Sequence, residues 1–64
     1  YDSLTAREKE VFHLAVEGIN NSQIAERLSI SVRTVEMHRA NLMKKLGVNS
    51  QTELVKFAMR RGLG

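Results

Sequence analysis

Residues 31–47 are the strongest constraint on how this 64-residue chain can fold. Ser31 is a residue type that caps a helix N-terminus, and Gly47 is the type that ends a helix in the left-handed region. Between them Val32, Val35, Leu42 and Leu46 follow the spacing of one helix face, with Met43 beside them. The pattern predicts one amphipathic helix over 32–46. A shorter capped segment and a tight connection precede it, which is the element order of a helix-turn-helix.

Composition decides how such a helix is held. With no Cys in the chain, disulfides and thiolate metal sites are excluded, which is compatible with a reducing compartment. His13 and His38 are too far apart to share a helix turn and do not make a metal site on their own, so neither metal nor cofactor is expected. The core must therefore come from helix packing. No apolar run approaches the roughly 20 residues needed to span a bilayer, and no signal-peptide pattern is present, so no membrane partner is expected. Position 1 is Tyr, and the chain is expected to be the C-terminal part of a longer protein, with residues 1–64 forming one domain.

The other helices follow from their caps. There is no Pro, and Gly18, Gly47 and Gly62 stand where helices should stop. Thr5 to Glu8 is a capping box, Asn20 to Gln23 repeats it with amides, and Ser50 to Glu53 is a third. Helices are predicted over 6–17, 21–28, 32–46 and 51–61, an all-α, compact four-helix fold with helices 2 and 3 as the helix-turn-helix. Val11, Leu14 and Ala15 of helix 1 face the core, with Leu4 before them and Phe12 on the shoulder. Ile24, Ala25 and Leu28 of helix 2 join them, as do Leu54, Phe57 and Ala58 of helix 4. Leu63 follows helix 4, and Ile19, Ile30 and Val48 plug the three connections.

Charge is unevenly placed. The whole chain carries +3. Residues 1–17 hold Asp2, Glu8, Glu10 and Glu17 against Arg7 and Lys9. Residues 32–46 hold Arg33, Arg39, Lys44 and Lys45 against Glu36 alone. An excess of positive charge confined to one helix suits phosphate docking, although a solvated face would also carry charge.

A helical wheel separates the two sides of helix 3. With Val35 at the core centre, Leu42 and Leu46 lie within about 20° of it and Lys44 lies opposite. Arg33, Met37 and Ala40 fall within about 40° of Lys44, flanked by Thr34 and Asn41 on one side and Glu36 on the other. Met and Ala in the middle of an outward face permit close approach to base edges and thymine methyls. Ser31 and Thr34 bring hydroxyls to the helix N-terminus, where a phosphate is favoured. Lys44 and Lys45 lie near the other end, within reach of phosphate across a groove as well as complementing the helix dipole. His38 reads as a partly buried structural histidine, Met43 as a core filler, and Arg39 as a stem on the core edge with its head toward Glu8 or Glu10.

The ordered set Leu4-Thr5-x-Arg7-Glu8-x-Glu10-Val11, Gly18-x-x-Asn21-x-x-Ile24-Ala25-x-x-Leu28, Ile30-Ser31-x-x-Thr34-Val35-x-x-His38 and Lys45-Leu46-Gly47-Val48 resembles the LuxR-type helix-turn-helix domain. That domain is the C-terminal module of NarL/FixJ response regulators and of quorum-sensing regulators, and the run from Arg33 to Asn41 looks most like the FixJ side. The resemblance spans Leu4 to Leu63. It implies a cytoplasmic, bacterial, sequence-specific regulator of transcription that binds double-stranded DNA, with RNA polymerase as a further partner. It places base contacts at Glu36, Met37 and Ala40, and phosphate contacts around Arg33, Thr34, Asn41 and Lys44. Some relatives carry Lys at positions corresponding to Glu36 and Ala40. Glu36 can only accept, which favours a cytosine N4 donor. The resemblance also implies a weak homodimer through helix 4, favoured on DNA, where Thr52, Val55, Lys56 and Met59 form a second stripe.

The alternatives are a helical protein-interaction module and the DNA-binding domain of a ligand-sensing quorum regulator. An enzyme has no support in the sequence: there is no nucleophile–base pair, no paired carboxylate site and no Gly-rich phosphate loop.

Overall fold

The computed structural model describes residues 1–63. Four helices follow one another: α1 (Ala6–Val16), α2 (Asn21–Leu28), α3 (Val32–Leu46) and α4 (Gln51–Arg60). α1 and α4 are one residue shorter than the predicted 6–17 and 51–61, because Glu17 and Arg61 serve as C-caps. The domain measures 29 × 20 × 19 Å.

Local chemistry starts each helix. Thr5 accepts from the Glu8 N–H at 3.1 Å while the Glu8 carboxylate accepts from the Thr5 N–H at 2.9 Å. Asn20 and Gln23 close the same reciprocal pair at the start of α2. Ser31 accepts from the Thr34 N–H at 3.0 Å. The third predicted box is different. Ser50 accepts from the Glu53 N–H at 3.1 Å, but the Glu53 carboxylate takes the Asn49 N–H, one residue further back.

The ends divide into an expected case and an unexpected one. Gly47 closes α3 at φ +71°, a conformation in which a Cβ is strained. α2 closes on Ser29 at φ +56°, the one non-glycine with positive φ among the described residues. This single residue turns the chain from α2 into α3 and allows Ile30 to pack half-buried against the core.

α3 packs against both α1 and α2, and α4 packs against α1. Val11, Phe12, Ile24, Val35, Leu42 and Leu54 form the fully buried centre. Phe12, expected on the shoulder of α1, lies inside, edge-on to Phe57 with ring centroids 6.2 Å apart. Val32, expected in the core, is 40% exposed at the start of α3. Leu28 and Leu46 are half-buried at the margins, and Val48 seals the α3–α4 connection.

Candidate nucleic-acid interface

α3 presents one side to the core and the other to solvent. Val35 and Leu42 are fully buried. Arg33, Glu36, Met37, Ala40, Asn41 and Lys44 are exposed, and Thr34 is half-buried. Met37 is 54% exposed. With Ala40 it lies between Arg33 and Lys44 on that side of the helix. Arg33 and Lys44 make no ion pair and no side-chain hydrogen bond with any described residue.

The N-terminal end of this face carries two coupled hydroxyls. Ser31 Oγ and Thr34 Oγ1 are 2.8 Å apart and share one hydrogen bond, while Ser31 Oγ also accepts the Thr34 N–H. Either hydroxyl can donate to the other, so one hydroxyl hydrogen stays available to an outside acceptor.

Two sequence expectations on this helix are corrected. Lys45 was expected at phosphate. Its ammonium instead donates to Glu8 Oε1 at 2.8 Å, linking the last turn of α3 to the first turn of α1. Glu8 is only 4% exposed, a buried carboxylate that needs a cation. The hydrogen bond from Lys45, then that from the Thr5 backbone, hold its carboxyl below the usual carboxylate range, against the opposing effect of burial. Arg39 was expected at Glu8 or Glu10. Lys45 occupies Glu8 from one flank of α3, Arg7 pairs with Glu10 at 3.7 Å, and Arg39 on the other flank donates to Gln51 Oε1. Gln51 then donates from Nε2 to the Ala15 carbonyl at 2.8 Å, joining α1, α3 and α4. No sequence signal marked Gln51 for this bridge. His38 is half-buried, and Met43 packs half-buried against the core.

On α4, Thr52, Lys56 and Met59 are exposed and Val55 is half-buried, on the side away from Leu54 and Ala58. Met59 is 70% exposed. No group of three or more metal-ligating side chains occurs among the described residues, and no helix is long and apolar enough to cross a membrane.

This architecture is shared. Residues 2–58 match the family described as bacterial regulatory proteins, luxR family. The chain belongs to the luxR family. It is 48% identical over 62 residues to the uncharacterized response regulatory protein YgeK of Escherichia coli, covering 97% of this chain and 42% of that protein. Full-length FixJ from B. japonicum superposes with a TM-score of 0.90 at 44% identity, covering 98% of this chain and 31% of that one. VqmA of Vibrio cholera, solved as a complex with ligand and DNA, superposes with a TM-score of 0.88 at 42% identity, covering 97% and 27%. The chain thus spans less than half the length of these relatives. Membership makes it a LuxR-type helix-turn-helix, the DNA-binding module of transcriptional regulators, with α2 and α3 as the two helices of the motif.

Proposed function

We propose that this luxR-family domain is the output half of a two-component response regulator and reads duplex DNA by laying the outer face of α3 in the major groove. The carrying observation is that face itself. It opposes a fully buried stripe, holds Arg33 and Lys44 without partners, and puts Met37 and Ala40 between them. A cation without an internal partner is available to phosphate, and an apolar centre can approach base edges and thymine methyls. Glu36, Met37 and Ala40 are assigned to the bases. Ser31, Arg33, Thr34, Asn41 and Lys44 are assigned to phosphates. The stripe of exposed Thr52, Lys56 and Met59 with half-buried Val55 on α4 is assigned to a weak dimer that DNA brings together.

Lys44→Ala tests the reading. Lys44 projects from the middle of the solvent side, so its loss should weaken binding to all duplexes by a similar factor. The slope of log affinity against log salt should flatten by about one unit. Unchanged affinity and slope in a folded variant would remove α3's outer face from the interface.

A further inference from the structure

Beside the reading face the end of α1, the start of α2, the middle of α3 and the start of α4 enclose an open cavity of about 380 Å³. Ala15, Gly18, Ile19, Asn21, Arg39 and Gln51 are among its walls, and no carboxylate lines it. Arg39 is half-buried and makes no ion pair with any described residue. One edge of its guanidinium is held by Gln51, itself anchored on the Ala15 carbonyl. A guanidinium has five N–H donors, so most of them have no partner among the described residues. Across the cavity the two neighbouring asparagines differ. Asn20 accepts the Gln23 N–H on its Oδ1 and keeps only its amide donors, while the half-buried Asn21 makes no side-chain hydrogen bond among the described residues.

A partly desolvated, permanently charged group with no anion beside it is a cost unless an anion arrives. The planar fork of Arg matches a phosphate's paired oxygens better than any neutral partner does. The cavity also borders the reading face, because Arg39 lies one turn after Glu36 and about 60° around α3 from it. We propose that this cavity seats one backbone phosphate of the duplex that α3 reads. Arg39 supplies the charge, Asn21 a second donor, and Gln51 acts as the positioning residue that keeps the guanidinium turned inward. The proposal rests on the α3 reading above and adds a contact that none of the α3 outer-face residues makes.

The test uses the 64-residue chain and a duplex recovered from it by binding-site selection. Single methylphosphonate linkages, which remove one phosphate charge at a time, are placed through the site. The parent should lose affinity several-fold at one linkage to which Arg39→Gln is indifferent, while Arg39→Gln keeps its response to the linkage that Lys44→Ala ignores. Arg39→Gln should also flatten the salt slope by about one unit, and Arg39→Lys should retain the parent slope. Asn21→Asp, which puts a carboxylate in the cavity without touching Arg39, should abolish the same methylphosphonate response. If Arg39→Gln does not fold, Asn21→Asp alone decides.

The phosphate seat is overturned if Arg39→Gln, or Asn21→Asp in its place, responds to every methylphosphonate as the parent does. It is also overturned if Arg39→Gln loses affinity with an unchanged slope, the mark of a structural role. Inorganic phosphate titrated at constant ionic strength separates a small-anion site. Saturating shifts of the Asn21 and Arg39 side-chain NMR signals without any methylphosphonate coupling would refute the DNA-phosphate assignment. If the parent selects no duplex, or Lys44→Ala is silent while Arg39→Gln is not, the α3 reading itself fails, a distinguishable result.

Discussion

Replacing Lys45 by Met isolates the contact between the two ends of the α1–α3 packing. The substitution keeps an unbranched apolar stem and removes the ammonium that lies 2.8 Å from Glu8 Oε1. An exposed ion pair is worth under about 1 kcal/mol, and breaking a fully buried one costs about 3–5 kcal/mol. This pair lies between those limits. The carboxylate is 4% exposed, but the Lys45 side chain is 37% exposed and screened, and the Thr5 N–H remains on the carboxylate after the change. A loss of about 2 kcal/mol is the expected magnitude at neutral pH, and for a domain this small it lowers Tm by about 8–16 °C. Urea unfolding followed by circular dichroism measures it. The pH dependence gives a second check. Glu8 has its carboxyl depressed from 4.5 in the folded state, so its contribution is present above that value and is lost as pH falls through the lower folded value. Lys45→Met removes the largest cause of the depression, so the gap between parent and variant should close in acid. A gap below about 0.5 kcal/mol at neutral pH, or one that stays constant into acid, would refute the assignment of this pair as a structural tie.

Glu36→Gln exchanges an acceptor-only group for one that also donates, and should redirect preference at one base pair by about 1–3 kcal/mol. Binding-site selection on both proteins checks it, and identical recovered motifs would show that Glu36 reads nothing. Val55→Glu should leave single half-site binding intact and abolish cooperative filling of two half-sites, measured by titration on one-site and two-site duplexes. Equal cooperativity would move the dimer contact elsewhere. Ser29→Gly relieves a left-handed Cβ and should raise unfolding free energy by about 0.5 kcal/mol, net of glycine's greater unfolded entropy. A loss of stability would mean that the Ser29 side chain contributes more than its backbone strain.

The parts of this fold that were legible in the sequence are those fixed by neighbours within a turn or two. Thr5, Asn20, Ser31 and Ser50 announce their helices because a cap needs only the N–H three residues on. The two sides of α3 could be separated because a 3.6-residue period sorts one helix's own residues. What escaped depends on distant partners. Glu8 was visible as half of a capping box, but its burial and its bond to Lys45 join positions 37 residues apart. Arg39 lies on the expected edge of α3 with a different partner, because the last turn of α3, which holds Lys45, meets Glu8 in the first turn of α1, while Arg39 in the middle of α3 lies beside Ala15 near the other end of α1. Ser29 gave no glycine signal, since the tight passage from α2 to α3 imposes its positive φ through the surrounding packing. Val32 satisfied the apolar period, yet it sits in the first turn, beyond the reach of the helices that cover Val35 and Leu42.

The split of charge between α1 and α3 also governs how fast the domain finds its site. With Lys45 paired to Glu8, Arg33 and Lys44 stay without ion-pair partners on the outer side of α3, the exposed Glu17 caps the end of α1, and exposed cations also stand at Arg27 on α2 and at Lys56, Arg60 and Arg61 on and just after α4. For a polyanion approaching on the α3 side, the two α3 cations favour turning α3 inward before contact. Encounters are thereby partly oriented, so association rather than dissociation should carry much of the salt dependence at low ionic strength. In the proposed docking, the carboxylates on the α1 side would repel a second nucleic acid strand there.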